Sequence, residues 1–186
     1  MYRQKLLKLL DEYKEQQFLK KKFVEFIENH TDCFERSNEY GHMTASSWLV
    51  NNSGDKVLLT HHRKLDMWLQ PGGHCDGDAD VASVALKEAQ EETGIQDWKF
   101  KDRKIFDIDC HVIPARKSEP QHYHFDVRFV MVAQSNENYV VSEESHDLAW
   151  VPLKSLADYT TEESIVRMEE KWYKLKAEPA HGVSDA

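Results

Sequence analysis

GGHCDGDADVASVALKEAQEETGI, residues Gly72 to Ile95, joins a glycine pair and a short acidic loop to a segment with helical periodicity. Val81, Val84, Ala85 and Ala89 recur at the spacing of one helix face, and Gly94 supplies a C-terminal stop. Glu88 and Glu92 are four apart and Glu88 and Glu91 three apart, a spacing that lets all three carboxylates converge near one face. Such a trio repels itself. Anions in the last turns also oppose the helix dipole, each effect costing roughly 0.3–1 kcal/mol. Lys87 offsets part of this. A bound divalent cation reverses the sign of the whole cluster, because Mg²⁺ is held by a few carboxylates together with water and substrate phosphate. The plainer alternative is a solvated acidic helix face, as most charge runs are.

The spacing resembles the Nudix hydrolase box: Gly, five residues, Glu, seven residues, then Arg-Glu-aliphatic-x-Glu-Glu-x-Gly-aliphatic. Gly73, Glu88, Glu91, Glu92, Gly94 and Ile95 match it. Three positions depart: Ala79 stands at the first Glu, Lys87 at the Arg, and Ala89 at a larger aliphatic residue. Lys87 keeps the charge but not the planar fork of Arg. Asp78 or Asp80 offers a carboxylate in place of the one missing at Ala79, and Asp78 is equally placed to cap the helix. Trp68, Leu69, Gln70, Pro71 and Gly72 resemble the strand that leads into the box. The strict motif covers about an eighth of the chain; the order of strands around it extends the likeness to residues 43–158.

The resemblance implies an α/β fold, the Nudix α/β/α sandwich with a mixed sheet, carrying an N-terminal helical extension. Residues 1–42 would form that extension, 43–176 the Nudix domain and 177–186 a frayed tail. It implies Mg²⁺, or Mn²⁺, held by Glu88, Glu91, Glu92 and the backbone oxygen of Gly72. The expected activity is hydrolysis of a diphosphate linkage in a nucleoside-diphosphate-type small molecule by metal-activated water. Glu88, Glu91 and Glu92 are the expected catalytic carboxylates. Glu143, Glu144 and Asp147 are placed to supply the base, with Glu144 the choice; an acidic surface turn is the alternative for each. Two other readings stay open. Isopentenyl-diphosphate isomerase-like enzymes share the fold, although Cys75 does not match their pattern. A non-catalytic nucleotide-binding module is the other, and Ala79 keeps it in play.

Composition agrees with one domain plus extensions. The chain has 186 residues, 40% of them hydrophobic and 11% aromatic, enough for a sizeable core. Its formal charge of −9 argues against a grip on nucleic-acid polymers, which calls for a basic face. A small phosphorylated substrate, its charge met by metal, is compatible. Cys33, Cys75 and Cys110 form no CxxC pair, suggesting a reducing compartment. No signal peptide or membrane span is read at the N-terminus, so the expected location is cytoplasmic. A homodimer is compatible with the sequence but not encoded in its periodicity.

Along the chain, 3–30 shows two apolar helical stripes, Leu6-Leu9-Leu10-Tyr13 and Phe18-Phe23-Phe26-Ile27, predicting two helices or one bent helix. Strands are expected at 44–50, 57–61, 98–108, 110–113, 122–132 and 139–141, with a hairpin-like loop over 114–120. Helical character returns at 153–159 and 162–176. On the strand from His122, the set His122, His124, Asp126 and Arg128 alternates with Tyr123, Phe125, Val127 and Phe129. The apolar set should meet the core. The polar set is a candidate cleft lining, together with His61, His62, Arg63, Lys64 and His74, for binding phosphate, a base or, through imidazole, a transition metal. Trp68 is a candidate to stack a base or, equally, a core anchor. The substrate-binding set expected from these readings is His61, Arg63, Lys64, Trp68, His74, His124 and Asp126.

Overall fold

The computed structural model describes residues 2–116, 119–143 and 145–177. The expected tail, apart from Ala177, and the chosen base Glu144 lie outside them. The two N-terminal stripes become two helices, α1 (Tyr2–Glu12) and α2 (Gln17–Asn29), separated at Gln16, whose backbone is left-handed at φ 45°. Leu6, Leu10, Phe23, Phe26 and Ile27 are buried, as the stripes predict, whereas Phe18 lies on the exposed side.

Among the described residues, eight strands form one mixed sheet: β1 (Gly41–Val50), β2 (Lys56–His62), β3 (Met67–Leu69), β4 (Gly72–His74), β5 (Trp98–Phe100), β6 (Asp107–Ile113), β7 (His122–Ala133) and β8 (Ser145–Pro152). β1 is central and buried along its whole length. It pairs in parallel with β7 and antiparallel with β2 and β4. Helix α3 (Val81–Thr93) follows the glycine strand β4, and α4 (Glu163–Ala177) closes the chain after a 3-10 segment, Leu153–Asp158.

The period-two pattern sorts side chains onto two cores. Met43, Ala45 and Leu49 of β1, with Phe125, Val127 and Phe129 of β7, pack beneath α1, α2 and α3. Trp48, Val50, Val57, Leu59 and Val130 pack on the other face, with Ile165, Met168 and Trp172 of α4. The result is a sheet between helical layers, the α/β/α sandwich expected. The N-terminal helices share the sheet's core and pack beside α3 rather than standing apart.

Three strand expectations change. The run 98–108 is two strands, interrupted where Lys101, Asp102, Arg103 and Lys104 crowd charge into the segment. Residues 139–141 form no strand; Val140 is 68% exposed, and its N–H bonds to the carbonyl of Thr93 instead of a ladder. The segment with Asp147, a candidate base with an acidic surface turn as its alternative, opens β8, which pairs along β2. Among the described residues, no helix is long and apolar enough to cross a membrane.

Candidate functional site

β4 and α3 bring the glycine pair against the glutamates. The N–H of Gly72 donates to Oε1 of Glu92 at 2.7 Å. A Cβ on Gly73 would lie 2.5 Å from the Glu88 carboxylate, so any larger residue there would push that carboxylate out of its present place. Glu92 is 8% exposed, close confinement for a carboxylate. Glu91 lies further round the helix, exposed, with Lys87 at 3.6 Å. Gly94 ends the helix in the left-handed conformation, φ 72°, as its position predicts.

The acidic loop is held differently from expectation. Asp80, not Asp78, caps α3: its side chain accepts from the Ser83 N–H at 3.3 Å and pairs with Lys5 of α1. Asp78 accepts from the N–H of Asp80 at 2.8 Å. Both acids are engaged in starting the helix. Asp76 pairs with Arg36, one nitrogen at 2.6 Å, so the segment before β1 clamps the loop. Arg36 was not singled out by sequence, because the partners are 40 residues apart.

On the opposite side of β4, His74 joins His42 of β1 and His122 and His124 of β7. The Nε2 atoms of His74 and His124 are 3.2 Å apart, and those of His122 and His124 3.3 Å. These rings, with Arg36, Lys64 and Arg116, line a cavity of about 270 Å³. His42 was missed as a site residue; its signal is the parallel β1–β7 register that sets it directly beside His124. A larger cavity of about 520 Å³ lies between the N-terminal helices and α4 and contains none of the expected site residues.

The remaining candidates divide. His61 stacks on Trp68, centroids 5.0 Å apart and planes at 15°, and pairs with Asp66 at 2.9 Å. Trp68 is partly buried against the α4-side core, with Tyr159 edge-on at 5.3 Å. Arg63 turns back to donate to the Ser145 carbonyl at 2.9 Å. Asp126 lies within the protein rather than along a cleft: it accepts from Thr44 at 3.0 Å and from Ser46 and Arg128 at 2.7 Å each. The polar face of β7 is thus cavity lining at its histidine end and interior beyond Asp126.

Burial, and then the nearby charges of Arg36 and His42, push His74 down to about 4. Burial and the surrounding histidines also lower His124, and burial with His122 lowers His42. The folded protein holds these rings neutral, whereas the unfolded chain takes up protons near the ordinary value of about 6.5. Their contribution to stability is therefore full above that value and is lost as pH falls from about 6.5 toward 4. Urea midpoints measured with chelator should fall between about pH 7.5 and pH 5, and by less in His74→Gln. A flat profile would contradict this.

Comparison with known proteins places the fold. A family model described as NUDIX domain matches residues 41–171. A curated relative, "Probable DHNTP pyrophosphohydrolase" of Lactococcus lactis subsp. cremoris (strain MG1363), is 29% identical over 85 residues, 45% of this chain and 50% of that protein. The match thus spans about half the relative's length. A NUDIX-family hydrolase structure from Clostridium perfringens aligns with a TM-score of 0.55 at 24% identity, covering 72% of this chain and 97% of that one. The E. coli dihydroneopterin triphosphate pyrophosphohydrolase aligns at 0.54 and 15%, covering 69% and 92%. These two share the sandwich. With the family model spanning the sheet and the whole Gly72–Ile95 segment, the chain belongs to the Nudix family.

Proposed function

We propose that the protein is a divalent-metal-dependent pyrophosphohydrolase that cleaves a diphosphate linkage in a nucleoside- or pterin-type small molecule. The observation that carries this is the seat of Glu88 and Glu92 against Gly72 and Gly73. Two carboxylates one turn apart, one of them confined, are unfavourable alone and complementary to a cation. The donors are all oxygen, which suits Mg²⁺ or Mn²⁺. Gly72, through its carbonyl, with Glu88, Glu91 and Glu92, would hold the ion. Bound there, it supplies charge withdrawal from phosphorus and an acidified water.

The chain's own part is preparation. The Gly72 N–H fixes the orientation of Glu92 before substrate arrives. Lys64 and Arg116, on the wall of the histidine cavity, receive substrate anion. The stacked His61–Trp68 pair offers a flat aromatic edge to a base or pterin. We assign the base to Glu144. Buried Cys33 and Cys75 are free thiols, in keeping with a reducing cytoplasm.

Support for the substrate class comes from the names of the two pyrophosphohydrolases above. The test is a screen of nucleoside triphosphates, dihydroneopterin triphosphate, nucleotide sugars and dinucleoside polyphosphates with Mg²⁺, following phosphate, pyrophosphate and mononucleotide release. One class should turn over, stop with EDTA and recover with added Mg²⁺. No turnover of any compound with Mg²⁺ or Mn²⁺ would overturn the proposal in favour of a binding module.

A further inference from the structure

We propose that His42, His74 and His124 form a second metal site, selective for a transition metal of the zinc class and separate from the glutamates. One ligand nitrogen from each of the three lies within 4.8 Å of the others. The residues come from three hydrogen-bonded strands. The parallel β1–β7 register sets His42 beside His124, and the β1–β4 register sets Thr44 beside His74, so one sheet face presents all three rings.

Two observations point to a cation rather than to histidines bonded to one another. His42 is 4% exposed, yet neither of its ring nitrogens makes a well-formed hydrogen bond among the described residues, the nearby Asn38 backbone offering only a weak interaction. A buried imidazole N–H without a partner is unfavourable, and its free lone pair has nothing to bind. The second is Nε2 of His124, which faces Nε2 of His74 at 3.2 Å and Nε2 of His122 at 3.3 Å. A proton on that nitrogen can serve only one of the two contacts well, which leaves the other nitrogen pair close together without a full hydrogen bond of its own. Zinc–nitrogen bonds of about 2.0–2.1 Å at the tetrahedral angle put ligand nitrogens about 3.3 Å apart, close to the 3.2 Å between His74 and His124, with the His42 nitrogen inside 4.8 Å of both.

His122 completes the set as a neighbour. Its Nδ1 lies 2.9 Å from the Pro120 carbonyl, which makes Nδ1 the protonated nitrogen and leaves Nε2 as a lone pair. Imidazole nitrogens favour zinc, copper or nickel, whereas the carboxylate site on α3 favours magnesium or manganese, so the two sites select different ions. The cavity side of the histidine site is lined by Lys64 and Arg116, leaving an open coordination position that would take water or an anionic oxygen.

This inference stands apart from the hydrolase proposal and is tested on full-length, tag-free protein stripped with chelator. Zn²⁺ titration by calorimetry should show one equivalent bound at micromolar or tighter affinity, and Co²⁺ should give the intense visible bands of a tetrahedral site. His42→Gln and His124→Gln should each weaken Zn²⁺ at least about 100-fold, while Glu92→Gln leaves it unchanged. Circular dichroism checks folding. Should His42→Gln unfold, His74→Gln on the short strand β4 carries the test. No saturable binding of Zn²⁺, a weak octahedral Co²⁺ spectrum, or equal affinity in His74→Gln and His124→Gln would overturn the site. Each of those outcomes is read from Zn²⁺ or Co²⁺ binding and says nothing of the carboxylate site, so the two proposals fail separately.

Discussion

Glu92→Gln is expected to lose at least about 10²-fold in kcat while its melting temperature stays level or rises. Gln keeps the shape of the side chain and an oxygen for the Gly72 N–H, which now meets Oε1 of Glu92 at 2.7 Å. It removes the charge that would hold a divalent ion and fix the diphosphate. It also removes the repulsion with Glu88 one turn back and the anion at the C-terminal end of α3, each of which costs a few tenths of a kcal/mol or more. Loss of turnover without loss of stability separates a functional carboxylate from a structural one. Glu91→Gln should be milder, since Glu91 is exposed and already pairs with Lys87. Steady-state kinetics with saturating Mg²⁺ beside thermal melts decides the point. Turnover of Glu92→Gln within a few-fold of the native protein would remove Glu92 from the reaction.

The helix at the centre of this site was legible because everything that specifies it is local. Its apolar spacing, its glycine stop and the i, i+4 glutamates all fall within one segment. What the sequence did not reveal depends on partners far along the chain. His42 faces His124 through a parallel pairing of strands 82 residues apart, and Arg36 reaches Asp76 across 40. No periodicity carries that information. The start of β8 looked like a loop because His146 and Asp147 point to solvent there, yet β2 supplies its ladder. Residues 139–141 carried β-branched side chains but had no strand edge to join.

β7 shows the same division on a single strand. Period-two alternation correctly separated His122, His124, Asp126 and Arg128 from the apolar set. It could not say what covers them. The far end of that polar face lies under α4, whose Arg167 and Lys171 meet Asp107 and Asp109 of β6. An expected cleft lining became an interior charge network because its other members come from β6 and α4, 17 to 45 residues away in sequence.

Breaking that network at its centre should destabilise the fold strongly. Asp107 is fully buried and is bonded by Lys171 at 2.7 Å, Arg167 at 2.8 Å and Arg128 at 3.3 Å. Arg128, 2% exposed, also meets Asp126 at 2.7 Å and Asp109 at 3.5 Å. Asp107, Asp109 and Asp126 thus face Arg128, Arg167 and Lys171, and Lys171 also reaches the exposed Glu15 at 2.8 Å. Burial alone would raise the Asp109 carboxyl, but His111, Arg128 and Arg167 outweigh it and hold Asp109 below the usual carboxylate range. Asp107→Asn leaves Arg128, Arg167 and Lys171 gathered around a neutral group at a fully buried position. The expected loss is about 3–5 kcal/mol in urea unfolding, the magnitude for a buried pair with one partner removed. That loss measures uncompensated charge, not the net worth of the network. Removing a cation as well should therefore recover part of it, so Asp107→Asn with Lys171→Met should be less unstable than the sum of the singles by at least about 1 kcal/mol. Neutralising Lys87, whose pair with Glu91 is exposed, should change stability by about 0.5 kcal/mol or less. A comparably small loss for Asp107→Asn would mean that the charges around β7 are screened like a surface pair and do not anchor α4 to the sheet.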